Sequence, residues 1–135
     1  MFGMTRNPAE SYAKVSVDAA IEGADPHRLI LMLFDGAIVA VVAAQRHMAA
    51  GEIADKGVNI SKAIGIITNG LKASLDVESG GDLAERLSAL YDYMAERLLW
   101  ANAHNQQAPL EDVLTLLRGL RDAWAEIAPQ KQAAA

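Results

Sequence analysis

The strongest constraint on the fold is a sixteen-residue run from Leu29 to Ala44, LILMLFDGAIVAVVAA, in which only Asp35 and Gly36 are not apolar. An ordinary surface helix carries an apolar stripe about 100° wide. In this run the apolar residues would surround the whole helix. Such a helix is buried by neighbours on every side, lies in a membrane, or offers apolar surface to a partner.

A membrane is the least suitable of these three environments. The run is shorter than the roughly 18 apolar residues that a spanning helix needs. The central carboxylate of Asp35 would also cost about 3 kcal/mol on insertion. The N-terminus, MFGMTRNPAESY, contains no apolar core of signal-peptide length. We therefore expect a soluble cytoplasmic protein with no membrane insertion.

The composition excludes several functional classes. At 135 residues the chain is long enough for one domain with a core of its own. It contains no cysteine, so disulfides, cysteine-ligated zinc and thiol catalysis are excluded. Its formal net charge of −5 argues against a nucleic-acid partner, because proteins that bind nucleic acid normally present a basic face.

Capping residues and glycines divide the chain into helices. Asp25 followed by Pro26 predicts a helix start, because the carboxylate accepts a backbone N–H bond and proline replaces a donor that has no partner there. This helix is expected to run to about Ala50 and to end at Gly51. A second helix, 52–76, is predicted from apolar residues spaced mostly three or four positions apart. Those residues are Ile53, Ile60, Ile64, Ile67, Leu71 and Leu75.

Two further helices follow a glycine break. The tripeptide Ser-Gly-Gly at 79–81 interrupts the pattern, and Asp82 is the expected cap of a third helix. Pro109 is expected to open the fourth helix and Pro129 to stop it. The third helix has the apolar stripe Leu83, Leu87, Leu90, Tyr91, Met94 and Leu98, and the fourth has Leu110, Val113, Leu114, Leu117, Leu120, Trp124 and Ile127.

These segments predict an all-α fold, an antiparallel four-helix bundle, because short connections make neighbouring helices run in opposite directions. Residues 9–21 have a weak helical pattern that is too short to be stable alone. We therefore expect residues 1–24 to form a short helical or extended segment packed on a bundle core of about 25–127. Residues 129–135 are expected to be a disordered tail, and the whole chain, 1–135, a single domain.

The sequence contains no recognisable catalytic or metal-binding motif. A di-iron bundle needs Glu-x-x-His, and no glutamate here has a histidine three positions on. His27, His47 and His104 lie near predicted helix ends and are interpreted as solvated surface residues. Asp35 and Asp92 lie on different helices, and hydrogen-bonded structural roles are favoured over acid–base chemistry. We therefore expect neither a cofactor, nor a metal, nor an enzyme.

The apolar surplus of the first long helix leaves two interpretations open. A bundle helix needs about three apolar positions in seven, whereas the run 29–44 has fourteen in sixteen. Either neighbouring helices and the N-terminal segment wrap this helix completely, or part of its surface forms a groove for the amphipathic helix of a partner. Both interpretations hold if the N-terminal segment covers the groove until a partner arrives.

A series of short motifs runs in order through the chain. They are Asn7-Pro8 followed by Tyr12, ADPHRLILMLFDGAI at 24–38, SLD at 74–76, GG at 80–81, LYDYM at 90–94, AN at 101–102 and RDAWAEI at 121–127. Each motif alone is weak, but their order and spacing together are specific. Over about residues 7–127 the chain resembles the flagellin-specific export chaperones, the FliS family.

The resemblance implies a cytoplasmic chaperone that binds the disordered C-terminal segment of newly made flagellin. Such a chaperone prevents premature polymerisation and keeps flagellin competent for type III secretion. Flagellar export-gate or regulatory proteins are further partners to consider. The alternative is a helical adaptor of flagellar assembly that binds a partner other than flagellin.

The same resemblance places the partner-binding site on the motif helices and on the N-terminal segment. For each apolar residue of this site a role in the core is an equal alternative, and Asn102 could equally cap its own helix. The residues expected at the site are Tyr12, Leu31, Phe34, Ile38, Tyr91, Met94, Leu98 and Asn102.

Overall fold

The computed structural model describes residues 25–127, which form four helices and contain no strand. The helices are α1 (Pro26–Ala49), α2 (Ile53–Gly65), α3 (Val77–His104) and α4 (Gln107–Ala125). A π-helical turn, Ile66–Leu71, and a 3-10 turn, Lys72–Ser74, prolong α2. The predicted N-terminal segment, including Tyr12, lies outside the described residues, as does the stop predicted at Pro129. The all-α prediction is confirmed.

Helix α1 begins where the sequence predicts. The carboxylate of Asp25 accepts a hydrogen bond from the Arg28 backbone N–H at 2.8 Å, and Pro26 occupies the first helical position. The helix ends at Ala49, and Gly51 follows with a φ of 75°. A left-handed φ of this kind favours glycine, so Gly51 permits the sharp reversal into α2.

The prediction of one regular helix over 52–76 is wrong in its second half. Regular α geometry ends at Gly65, and the chain passes through the π turn and the 3-10 turn before Leu75 becomes extended. Glycine has no Cβ and resists such a change of backbone geometry less than other residues do. A Cβ on Gly70 would lie 3.0 Å from Leu33 Cδ2. Gly70 therefore lets this segment approach α1 closely.

The helix cap predicted at Asp82 is wrong. The carboxylate of Asp76 accepts the capping hydrogen bond instead, from the Ser79 backbone N–H at 3.1 Å. The predicted glycine break is present as a kink within α3, because Gly81 has φ 58° and ψ −135°. Asp82 lies just beyond this kink and pairs with Arg86, with 3.1 Å between Oδ2 and Nε.

Helix α4 begins slightly before the predicted proline. Gln107 is its first residue, and Pro109 lies buried within its first turn. The N–H groups of a first turn have no acceptor inside the helix, so a proline there costs no hydrogen bond. The physical reason for the predicted start therefore holds, although the boundary differs.

Polar contacts between helix ends show that α1 and α4 are antiparallel. His27 at the start of α1 bonds to Trp124 at the end of α4, whereas Gln45 near the end of α1 bonds to Glu111 near the start of α4. Helix α1 packs on α2 and α4, and α3 packs on the same two helices. Consecutive helices are joined by short loops, which makes them antiparallel as well. The predicted bundle is confirmed.

The apolar run that dominates the sequence supplies the centre of the core. Its buried apolar side chains are those of Leu33, Phe34, Ala37, Ala40, Val41 and Ala44. Among residues 25–127, α1 is the one helix that could cross a membrane by length and composition. Its burial against the other helices accounts for that composition, because a core helix passes the same test.

Charged pairs connect the helices at the surface. Arg121 Nε donates to Asp35 Oδ1 at 2.9 Å, and this bond raises the pKa of the Arg121 guanidinium. Lys72 Nζ donates to Asp92 Oδ1 at 2.7 Å. Both aspartates therefore have the structural roles that the sequence indicates. Exposed pairs of this kind contribute about 0–1 kcal/mol each, so they mainly fix the register of helices that the core already holds together.

Replacing Gly70 by alanine is expected to destabilise the bundle by about 1–2 kcal/mol, because the new Cβ would press on Leu33 in a close-packed core. Gly119→Ala is the matched control, since Gly119 is exposed within α4 and has nothing within 4 Å of an added Cβ. There alanine should stabilise by about 0.5–1 kcal/mol through helix propensity. Urea unfolding measures the unfolding free energy of both variants. If Gly70→Ala and Gly119→Ala changed it equally and in the same direction, the close approach of Gly70 to Leu33 would be contradicted.

Candidate functional site

An apolar pocket of about 290 Å³ lies at the end of the bundle where the start of α1 meets the end of α4. Side chains from α1, α3 and α4, from the two irregular turns after α2 and from the residues next to these elements surround it. None of them is charged. The pocket is lined by Ile30, Phe34, Leu71, Ser74, Leu75, Leu83, Leu87, Tyr91, Leu120, Ala123, Trp124 and Ile127.

The irregular backbone between α2 and α3 leaves room for this pocket. The 3-10 turn ends at Ser74 and Gly81 kinks α3, so the two helices do not close over this end of the bundle. A second cavity of about 320 Å³ adjoins the pocket and shares Ser74, Leu75, Leu83 and Leu87 with it. Leu83 marks the rim, since 68% of its surface is exposed. A partner can therefore reach the pocket from solvent.

A histidine and a tryptophan bond to each other at one wall of the pocket. His27 Nε2 donates to the Trp124 carbonyl oxygen at 2.7 Å, and Trp124 Nε1 donates to the His27 carbonyl oxygen at 2.9 Å. The first bond requires the proton on Nε2, because a carbonyl only accepts. The two rings also stack, with centroids 5.3 Å apart and planes inclined by 14°.

The burial of His27 overturns its interpretation as a solvated surface histidine. Only 6% of the residue is exposed. It shares one face of α1 with Ile30 and Phe34, three and seven positions further on, and this spacing was available in the sequence. Of the other two histidines, His104 is exposed as predicted and His47 is partly buried.

Tyr91 brings its ring to the pocket from α3. The residue is 4% exposed, and burial raises the pKa of its hydroxyl to about 12. A phenolate in this position would lose its hydration, so the neutral form is favoured. The pocket therefore presents only uncharged groups at neutral pH.

The structure separates the predicted site residues of the motif helices into two groups. Phe34 and Tyr91 line the pocket together. Met94 and Leu98 follow Tyr91 along α3 and are fully buried in the core. The first pair is open to the pocket, whereas the second supports the helix that carries Tyr91.

The remaining predicted residues lie outside the pocket lining. Leu31 and Ile38 are partly exposed on α1. Asn102 is partly exposed near the end of α3, and its carbonyl oxygen accepts a hydrogen bond from Lys56 Nζ at 3.1 Å. Lys56 is buried, so this bond fastens the end of α3 to α2. Tyr12 belongs to the part of the chain that the structure does not describe.

The predicted site omits the α4 side of the pocket. Leu120, Trp124 and Ile127 form part of a recognised apolar stripe, but their place at a pocket is not encoded in its spacing. A stripe that fills a core and a stripe that lines a pocket both recur every three or four residues. Leu75 and Leu87 are omitted for the same reason.

One cluster within residues 25–127 has the ligand types of a metal site. His47, Glu52 and Asp55 lie where α1 turns into α2, with ligand atoms within 4.8 Å of one another. His47 Nδ1 and Glu52 Oε1 are 2.6 Å apart, which is a hydrogen bond across the loop. Both carboxylates are exposed, and the cluster lies at the opposite end of α1 from the pocket. It therefore takes no part in the pocket's chemistry.

Comparison with known proteins identifies the family. The profile of the family described as flagellar protein FliS matches residues 8–131. This range includes all four helices and every residue of the pocket. The chain belongs to the FliS family.

Individual FliS relatives agree with the family match. The flagellar secretion chaperone FliS of Salmonella typhimurium strain LT2 is 49% identical over 126 residues, which cover 93% of each protein. The FliS of Escherichia coli K12 is 45% identical over 87% of this chain and 86% of its own. The chaperone FliSB of Pseudomonas aeruginosa PAO1 is 42% identical over 85% and 90%. The resemblance seen in the sequence motifs is confirmed, and the chain is a flagellar export chaperone.

Above pH 10 the bundle is expected to lose stability through Tyr91. Its pKa of about 12 in the folded protein exceeds the ordinary value of 10.0. The stabilisation is therefore complete below pH 10 and is lost as the pH rises through 12, up to about 3 kcal/mol. Tyr91→Phe lacks the hydroxyl and should lose less unfolding free energy over this range. Urea unfolding of both proteins measures the difference, and equal losses would contradict burial of the hydroxyl.

Proposed function

We propose that this member of the FliS family binds the C-terminal helical segment of newly made flagellin in the cytoplasm. Binding would prevent premature polymerisation and keep flagellin competent for type III secretion. The observation that supports this client is the apolar pocket, which continues to an exposed rim at Leu83. A segment that later packs inside a filament needs its apolar face covered beforehand, and such a pocket offers that cover.

The geometry of the pocket fits one face of an amphipathic helix. A client helix places large apolar side chains three and four residues apart, and these insert between the helices of its partner. Burying a leucine-sized side chain contributes about 1.5–3 kcal/mol. The cost of ordering a client that is disordered when free offsets part of this gain. Binding energy alone is sufficient for the task, and we propose no enzymatic activity, metal or cofactor.

The predicted site residues have different roles in this proposal. Phe34 and Tyr91 contact the client within the pocket, and Leu31 and Ile38 extend the contact along the partly exposed side of α1. Met94 lies in the core behind Tyr91, where its flexible thioether side chain allows the pocket to repack around a client.

The three remaining predicted residues are proposed to have other roles. Leu98 holds α3 in place, and Asn102 offers its side-chain amide to the client backbone or to its own helix end. Tyr12, in the N-terminal segment 1–24, is proposed to cover the site or to meet the client there. Export-gate or regulatory proteins would bind elsewhere on the same complex.

Co-expression with the C-terminal segment of the flagellin from the same organism is expected to yield a soluble complex of equimolar composition. The control is flagellin lacking that segment, which should not co-purify. Size-exclusion chromatography with mass measurement gives the stoichiometry. Recovery of the two proteins separately, with capture of another flagellar protein instead, would favour the alternative of a helical adaptor.

Leu83→Asp is expected to weaken binding of the flagellin segment at least 10-fold, because it puts a charge on the pocket rim and removes about 1.5–3 kcal/mol of apolar burial. Leu83 is 68% exposed, so the change should leave folding intact. Leu99→Asp is the matched control on the same helix, since Leu99 is 58% exposed and does not line the pocket.

Isothermal titration calorimetry of the two variants measures the affinities, and thermal unfolding checks their stability. Equal affinity of Leu83→Asp and Leu99→Asp for the flagellin segment would place the client on another surface. Selective loss in Leu99→Asp would do the same.

A further inference from the structure

We propose that His27 is a positioning residue for the client pocket: by bonding to Trp124 it holds the indole ring as a fixed wall of that pocket. The inference rests on the function proposed above. The inference concerns the shape of the pocket in the free protein. Two of its three measurements therefore do not depend on the identity of the client.

Trp124 has a position from which its ring could move. It lies one residue before the end of α4, where regular helical hydrogen bonding stops: the Trp124 carbonyl oxygen accepts from the Ile127 N–H, three residues on, at 3.1 Å. Its side chain borders a pocket of about 290 Å³, which offers space for a rotated ring. An indole ring rotated into that space would fill part of the pocket and would exclude a client side chain from it.

The bonds with His27 oppose this rotation at both ends of the tryptophan. Trp124 Nε1 is held by the His27 carbonyl oxygen at 2.9 Å, which fixes the side chain. The Trp124 carbonyl oxygen is held by His27 Nε2 at 2.7 Å, which fixes the backbone from a position 97 residues earlier in the chain. Stacking of the rings adds a restraint on the plane of the indole.

Other contacts between α1 and α4 join the same helices but do not touch the pocket. Arg121 bonds to Asp35 at 2.9 Å, and the Asp35 side chain is 53% exposed. Gln45 bonds to Glu111 near the opposite end of the helix pair. These two bonds already join α1 to α4, so the His27–Trp124 pair is not needed for that purpose alone. The distinctive property of the His27–Trp124 pair is that one of its rings is a pocket wall.

Two substitutions separate the hydrogen bond of His27 from its ring. His27→Gln keeps an N–H donor at nearly the position of Nε2 but has no ring to stack. His27→Phe keeps a flat ring of similar size but has no donor. Asp35→Asn is the matched control, because it weakens a surface contact between the same two helices. All variants are made with Trp100→Phe, which leaves Trp124 as the single tryptophan.

Three measurements are made on the folded full-length proteins. Acrylamide quenching of Trp124 fluorescence reports the exposure of the ring, and binding of anilinonaphthalene sulfonate reports the open apolar pocket. Calorimetry with the flagellin C-terminal segment reports client affinity.

His27→Phe is expected to alter quenching, to reduce dye binding and to weaken flagellin binding about 5- to 10-fold, the effect of one lost hydrogen bond. His27→Gln and Asp35→Asn should stay within about 2-fold of the parent.

Rescue by glutamine is the outcome that a general structural role would not produce. The proposal is overturned if His27→Phe keeps parental quenching and dye binding, or if His27→Gln loses as much as His27→Phe. Should His27→Phe fail to fold, His27→Leu, which also lacks a donor, replaces it, and parental quenching and dye binding in that variant overturn the proposal. If the parent binds dye but no flagellin segment, the proposed client is wrong, while quenching and dye binding still decide the role of His27.

Discussion

The fold depends on covering α1, whose apolar surface is too wide for a single neighbouring helix. Small residues make that cover possible: Ala37, Ala40 and Ala44 are essentially unexposed, so α2 and α4 can approach the α1 backbone. Gly70 lets the segment after α2 lie close to Leu33 of α1. Because interiors are packed like organic crystals, such contacts leave little freedom in how the helices sit. The polar contacts along α1 then select one register among the few that this packing allows.

The pocket exists because this cover is incomplete at one end. Where α2 changes to π and 3-10 geometry and α3 kinks at Gly81, the backbone cannot follow the regular path that would fill the space above Phe34. Apolar side chains that would otherwise be core residues then border a cavity. The apolar surface of the pocket therefore consists of side chains of the bundle itself, and no additional element is needed to form it.

The sequence predicted a helix end correctly where a neighbouring side chain bonds to an unpaired backbone group of that end. Asp25 and Pro26 define the start of α1 as predicted. Of the residues that the family resemblance suggests for partner binding, Phe34 and Tyr91 line the pocket. The same reasoning failed at Asp82, because Asp76 is an equally good cap and only the path of the chain after the 3-10 turn selects it. The sequence predicts a surface position for His27, because a histidine near a helix end is usually solvated. The structure buries it because its face of α1 is apolar.

By itself the sequence determined the class of fold, the start of α1 at Asp25 and Pro26, and the family, because each of these depends on local chemistry or on ordered motifs. Only the tertiary structure decided which apolar residues are core and which border the pocket. Met94 and Tyr91 belong to one stripe with one spacing, yet one is sealed and the other lines a cavity. Periodicity records which side of a helix is apolar, whereas the gap between helices depends on how their irregular ends meet in space.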